Sequence, residues 1–319
     1  DGLGARQLEG VPRSISQGSR GALASVGSSL AFAGVYFVTP LLAPAAAESI
    51  WALRNLITLP IILLAIIAVR QSHLITEIAH RIRRKPLLLV GIIASGLLIS
   101  AQLWVFTWAP LHGRGLQVAM GYFLLPLVLI VIGRFLYHDR LSWWQWAAAG
   151  IAAVGVVFEL FRVGGVSWET LLVALGYPVY FVLRRAIGTG HMGGMFWEFL
   201  VLVPVAVAMV IAEIVRGTAT AANPALWWSA QLFAVWSGVG IVLYVAASRL
   251  LTMSIFGLLS YLEPALLVVA SVLNGERITE GEWFIYGAIW TSVLVLIAGG
   301  TAMVVRSRRT PPPAPASTS

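Results

Sequence analysis

Residues 121–150 read GYFLLPLVLIVIGRFLYHDRLSWWQWAAAG, and residues 260–288 read SYLEPALLVVASVLNGERITEGEWFIYGA. The two stretches follow one plan. Each opens on a small residue, a tyrosine and then a proline inside an apolar run: Gly121, Tyr122 and Pro126, then Ser260, Tyr261 and Pro264. About thirteen residues past the proline comes an acid followed by arginine, Asp139-Arg140 and Glu276-Arg277, and then a run opened by aromatic residues. This is the signature of an internal repeat. The number of membrane crossings per repeat decides how the halves are related.

Composition supports crossings. Of 319 residues, 59% are hydrophobic and only 11% charged, and the mean hydropathy is +0.88. A soluble domain carries about 25% charged residues, so this chain could not cover a water-facing surface. It reads as an integral membrane protein. There is no cysteine, which excludes a disulfide, a zinc–thiolate site and a thiol nucleophile. Residues 1–20, which start at Asp1, hold no apolar core of the kind a signal peptide needs.

A span needs about 20 mainly apolar residues. Ten stretches qualify: 21–42, 48–69, 86–109, 116–136, 143–161, 166–186, 193–213, 226–247, 254–273 and 282–305. Connections are short, leaving no room for a soluble domain. The expected fold is therefore an all-α membrane protein of ten transmembrane helices, as two five-helix repeats over 21–161 and 166–305. A cytoplasmic tail, 1–20, precedes them and a disordered Pro/Ala/Ser-rich tail, 306–319, follows. Five spans per half is odd, so the second half enters from the opposite side. Such inverted repeats suit alternating access, with the substrate site near the midplane at the repeat interface.

Arginine and lysine orient the bundle, since cytoplasmic loops carry their excess. Sixteen of the 21 fall on one side, with both termini; Arg114, Arg162, Arg216 and Arg277 fall on the other, and Arg54 lies within the second span. The net charge of +8 is thus a topology signal and not a nucleic-acid patch. Trp143, Trp144 and Trp146 open the fifth span at the inner face, while Trp51, Trp168, Trp227, Trp228 and Trp283 lie near outer ends, as interfacial aromatic belts require.

Of the charged residues inside the expected spans, Arg54, Glu159, Glu198 and Glu263 are the ones to weigh. Intramembrane ionisable groups are rare and face the bundle interior or water, which makes each a functional hypothesis. Glu263 stands near the midplane beside Pro264, which frees the carbonyl of Ser260 from its helical bond. A broken helix beside an acid suits a proton, a cation or an ammonium group; the alternative is a structural carboxyl. Arg54 shares a polar stripe with Trp51, Asn55 and Thr58. It could grip a substrate carboxylate through two parallel bonds, pair with an internal glutamate, or snorkel to the outer surface. Glu198 could serve the site or reach inner-side water, and Glu159 reads as an interfacial anchor. Gln102 continues a face with Gly91, Ser95 and Phe106, and Ser25, Ser29, Phe32 and Tyr36 line up similarly. Such faces line pores or pack helices. Tyr122 and Tyr261 are the matched tyrosines of the repeat. The two acid-Arg pairs read as loop anchors. The five histidines fall in loops, and neither a phosphate-binding G-x-x-x-x-G-K-[ST] loop nor an H-E-x-x-H helix is present.

At these residues the chain resembles the drug/metabolite transporter superfamily, specifically EamA-type members of the RarD subgroup. The resemblance runs from about residue 25 to 305. It rests on QLWVFTWAPLHGRGLQVAMGYFLLP, HDRL, LLTMSIFGLLSYLEP, NGERIT, ALRN, LRR and MFWEFLVLVP. It implies a ten-helix fold of inverted repeats around a cavity, with spans 5 and 10 peripheral. It points to Arg54, Gln102, Tyr122, Glu198, Tyr261 and Glu263 as cavity residues. Family members commonly carry Asn where Gln102 and Leu125 stand and an acid where Gln117 stands. Losing those groups bears on substrate and coupling ion.

The expected function is secondary active transport, a proton-coupled exporter of a small metabolite or drug in the plasma (bacterial inner) membrane. Substrate, lipid and protons are its partners; no enzyme activity, cofactor, metal or nucleic acid is implied, and a homodimer is left open. The alternatives are a multi-pass enzyme acting on a lipid-linked substrate, which would gather acids or histidines at one interface, and a passive facilitator, which needs no titrating carboxyl. If the charge bias sets topology, reporter fusions after residue 305 and within 71–85 both report cytoplasm; a periplasmic signal from either would sink the ten-span reading.

Overall fold

The computed structural model describes residues 12–136, 142–163, 166–251, 256 and 259–309. Among the described residues every regular element is helical. The elements are α1 (Pro12–Val38), α2 (Ala47–Ala68), α3 (His73–Arg84), α4 (Leu87–Leu111), α5 (Gly115–Leu136), α6 (Trp143–Val163) and α7 (Trp168–Ala186). There follow α8 (Met192–Val201), α9 (Val203–Arg216), α10 (Thr218–Ala222), α11 (Leu226–Leu250), α12 (Leu262–Leu273) and α13 (Trp283–Arg309). Six segments are long and apolar enough to cross a bilayer: Ser19–Leu42, Ala47–Ala68, Leu87–Leu111, Gly115–Leu136, Leu226–Ser248 and Glu280–Gly299. The pair α8 and α9, bent by 46°, makes a seventh if it is one span. The protein is an all-α membrane protein.

Helices α6 and α7 occupy the fifth and sixth expected runs but are not among these six, and α12 has only 12 residues. The seventh run, expected as one helix, breaks at Leu202. Pro204 stands at the start of α9, where it cannot donate to the carbonyl four residues back and its ring crowds that turn. Helix α3 falls in what was read as a loop. Its isoleucines at 75, 78 and 82 share one face, Ile78 is fully buried, and Arg83 and Arg84 lie exposed. His73 and His80 therefore sit on a helix and not in a loop. Helices α1 and α13 extend into the stretches read as tails, to Pro12 and Arg309. Residues 1–11 and 310–319, with His138 and the Asp139-Arg140 pair, lie outside the described residues.

Small residues let the helices close on one another, because lipid supplies no hydrophobic drive for helix association and close packing must do so. Helix α1 lies along α11, where Ser28 donates to the Gly240 carbonyl at 3.0 Å. Helix α6 lies along α13, where Ser292 donates to the Ala148 carbonyl at 2.7 Å. Helix α5 meets α7 at Gly121, and α12 lies between α1 and α5.

Polar contacts fasten both ends. At the α3 end, Arg81 donates to the carbonyls of Gly188 (2.8 Å) and Ile187 (2.6 Å), and Trp197 donates to that of Ile75 at 3.1 Å. At the opposite end, the Glu276 carboxylate accepts from the backbone N–H groups of Gly115 (2.7 Å) and Leu116 (2.8 Å), capping α5. An added Cβ at Gly115 would collide with Ser271 and Glu276, so only glycine permits this cap. Burial holds the Glu276 carboxyl above its ordinary range, against the pull of those two bonds. Beside it Arg114 grips Glu169 through Nε (2.7 Å) and Nη2 (3.2 Å), and this hydrogen bonding raises the arginine further. The NGERIT turn thus ties the second half of the chain to the first.

A Cβ at Gly121 would fall 2.6 Å from the Val173 Cβ and 2.9 Å from the Thr170 carbonyl oxygen, whereas one at Gly150 would meet nothing within 4 Å. Gly121→Ala is accordingly expected to destabilise the protein by about 1–3 kcal/mol through overpacking. Gly150→Ala should be neutral or stabilising, by up to about 1 kcal/mol of helix propensity. Melting temperatures of the purified variants in detergent check the pair; equal shifts would refute the α5–α7 contact.

Candidate functional site

The site begins with the broken helix around Glu263. The chain leaves helical conformation at Ser260 and Tyr261 and resumes in α12 at Leu262. Ser260 closes the preceding turn, donating through N–H (2.9 Å) and Oγ (2.8 Å) to the Phe256 carbonyl. Pro264 then lies in the first turn of α12, where its missing N–H would have had no helical acceptor. Glu263 occupies the same turn, at the positive end of the helix dipole. Acid and proline, costly inside a continuous helix, are tolerated at a new helix start. At 1.5 Å per residue, the eleven residues from Glu263 to Asn274 place the carboxyl about 17 Å from the Glu276 end, roughly halfway through a 30 Å core.

Arg54 faces this carboxyl from α2. It is 2% exposed, which rules out snorkelling, and its Nε and Nη1 are buried without a hydrogen-bond partner. Its Cζ lies 5.5 Å over the centre of the Phe106 ring, a cation–π contact. Glu263, Tyr122 and Tyr177 lie close enough to interact with it electrostatically, but none forms an ion pair with it. Phe106 meets the Tyr122 ring edge-on at 6.1 Å, and the hydroxyls of Tyr122 and Tyr177 are 3.1 Å apart. Tyr244, on α11, is also within electrostatic reach of Glu263. Glu263, Tyr122 and Tyr177 are only partly buried at this depth. Nearby, Thr58 Oγ1 and Gln102 Oε1 are buried without partners.

The six sequence candidates therefore separate. Arg54, Tyr122 and Glu263 come together. Gln102 is instead a link between α4 and α7: its Nε2 donates to the Leu172 carbonyl at 2.9 Å, against Gly176. Tyr261 packs into the apolar core with no polar contact to Glu263. Glu198, read as close to inner-side water, is fully buried. It pairs with Arg184 at 3.1 Å and accepts from the Tyr180 hydroxyl at 3.0 Å, while Gly96 packs against its backbone. Arg184 also donates to the carbonyls of Thr189 and His191, both at 2.8 Å. This second cluster lies toward the α3 end, one turn along α7 from Tyr177. Glu159 pairs with Arg162 at 2.7 Å as an anchor.

Sequence reasoning missed Tyr177, Tyr180, Tyr244 and the structural part of Arg184. Tyr177 and Tyr180 had a legible signal, since they sit three apart on a helix that also carries Arg184. Tyr244 had none. Among the described residues no cluster of His, Asp and Glu could hold a metal ion.

No family model matches the chain. It is 34% identical over 277 residues to the chloramphenicol-sensitive protein RarD of Pseudomonas aeruginosa, covering 86% of this chain and 93% of that one. It is 32% identical over 281 residues to an uncharacterized transporter of Haemophilus influenzae, covering 88% and 94%. A solved crystal structure with 18% identity aligns over 92% of this chain and 99% of its own at a TM-score of 0.53, a likeness of fold alone. At such identity over nearly the whole length, the chain belongs to the RarD-type family of drug/metabolite transporters.

Proposed function

We propose that this protein is a proton-coupled secondary transporter exporting a small metabolite or drug across the plasma membrane. It would do so through ten spans arranged as two inverted repeats, with both termini in the cytoplasm. One observation carries the reading. An arginine and a glutamate face each other deep inside the bundle, close enough to interact but not joined as an ion pair. A structural pair would have closed, as Arg184 and Glu198 have. Left apart, the two can each take a second partner, a proton on Glu263 and a substrate group on Arg54. Relatives named as transporters support transport, and chloramphenicol sensitivity in the name of the Pseudomonas relative supports a drug-sized cargo. The charge bias across the membrane supports the orientation. Matched residues in the two halves support the inverted repeat.

The groups facing Glu263 are Arg54 from α2, Tyr122 from α5, Tyr177 from α7 and Tyr244 from α11. It is the one carboxyl among them. Glu263→Gln keeps its shape and removes its proton exchange. In proteoliposomes loaded with a pH-sensitive dye and challenged with a panel of metabolites and chloramphenicol, the variant should lose pH-gradient-driven flux at least about tenfold. Substrate exchange without a gradient should persist. Wild-type pH dependence in that variant would place the coupling elsewhere.

The Arg184 cluster yields a contrasting expectation. Glu198→Gln strands a buried guanidinium, at a cost of about 3–5 kcal/mol, and should show as a fall in melting temperature, not as uncoupling. A variant that melts like wild type yet fails to transport would move Glu198 into the transport site.

A further inference from the structure

We infer that Arg54 and Glu263 flank a binding site for a small organic monoanion with an apolar, aromatic body, and that this anion binds together with a proton rather than in exchange for one. The inference rests on the transport reading above and gives it a substrate class and a sign of coupling: anion and proton would leave together, so the outward substrate gradient, and not an inward proton gradient, would drive export.

The charge argument starts from a comparison within the protein. Arg184, also buried, donates through Nη2 to two carbonyls and holds the Glu198 carboxylate at ion-pair distance from Nε. Arg54 has two buried nitrogens with no acceptor at all. A guanidinium presents a rigid fork that matches a carboxylate through two parallel bonds. A neutral acceptor would meet the N–H groups without offsetting the charge, and a cation would be repelled. An anion does both.

The shape argument comes from the neighbouring rings. Phe106 already lies under the guanidinium, and Tyr122 and Tyr177 continue from it as an aromatic wall whose rings stand at 88° and 51° to their neighbours. A ligand whose carboxylate reaches Arg54 sets the rest of its body against that wall. An aromatic acid meets such rings edge-to-face.

The coupling sign follows from Glu263. An ionised Glu263 repels an anion held at Arg54, and a protonated one does not. Anion and proton therefore raise each other's affinity, by the same factor in both directions. Helix α1, which packs on α12, adds no competing group: Tyr36 is bonded to Gly115 at the far end and Arg20 is exposed.

Binding to the purified full-length protein tests this without any transport assay. The probes are benzoate, phenylacetate and indole-3-acetate, against benzamide and benzylamine of matching size, followed by intrinsic tryptophan fluorescence and ligand-dependent melting temperature. At least one acid should bind saturably, with benzamide and benzylamine at least about tenfold weaker. Affinity for the acid should rise about tenfold between about pH 7.5 and about pH 5.5, and this rise should vanish in Glu263→Gln, which also controls for titrating histidines. Arg54→Lys should weaken the acid while leaving the ligand-free melting temperature in place. If that variant unfolds, the wild-type contrast of acid against amide decides. Binding of none of the three acids, equal binding of benzamide, preference for benzylamine, or affinity that stays flat or falls in acid each overturns the inference. Acid binding that survives while Glu263→Gln transports with normal pH dependence would remove proton-coupled transport and keep the anion site. The reverse pattern would remove the anion site and keep the transporter.

Discussion

A charge held within a lipid bilayer has no water to fall back on, and the rest of this structure follows from how each such charge is met. Placing one at the centre of a span costs about 2.5–3.5 kcal/mol on an insertion scale. Three acidic residues answer that cost with an arginine: Glu159 with Arg162, Glu169 with Arg114, and Glu198 with Arg184. Glu276 answers it with two backbone N–H groups at the start of α5. These four contacts sit toward the helix ends, and each joins elements or anchors a turn. Against that pattern Arg54 and Glu263 stand out, because at mid-depth the protein has both signs of charge available and leaves them unjoined.

The backbone makes that arrangement possible. Closely packed helices alternate with broken ones. Helix α1 and α11 approach through Ser28 and Gly240, and α6 and α13 through Ser292, Ala148 and Gly155. By contrast the chain breaks at Leu202, before Pro204, and at Ser260–Tyr261, before Pro264. Each proline falls in the first turn of a new helix, where its missing donor is harmless. Proline in these runs therefore marks where helices restart.

Much of this was legible in the sequence. Apolar run length located a helix for each expected span, because burial in lipid demands uninterrupted backbone bonding over a fixed thickness. The rarity of charge within those runs singled out Arg54, Glu198 and Glu263 as candidates. What one-dimensional reading could not supply was pairing. Glu198 looked water-bound because Arg184, its partner, lies on a neighbouring helix inside a basic LRR motif that also serves topology. Gln102 looked like a pore residue because its acceptor, the Leu172 carbonyl, is a backbone atom that no motif records. Tyr122 and Tyr261 looked equivalent because each follows a small residue and precedes a proline, yet one stands with Arg54 and the other in the core. Helix α3 went unread because its 12 residues carry one apolar stripe, and a search for apolar length does not see periodicity.

The asymmetry between those tyrosines carries a consequence for mechanism. In the proposed inverted repeat, halves that were chemically equal would present the same groups to both sides of the membrane. In that reading the first half gives the site a cation and aromatic rings, from α2, α4 and α5. The second half gives the acid, from α12, together with the tyrosines of α7 and α11. Any movement of one half against the other then changes the distance between Arg54 and Glu263. No bond joins them, but their attraction opposes any widening of the gap. Neutralising Glu263 weakens their attraction, and an anion on Arg54 does the same from the other side. Both events relax one restraint, and this is why occupancy of the site, rather than either charge alone, is the variable that would set how the halves stand.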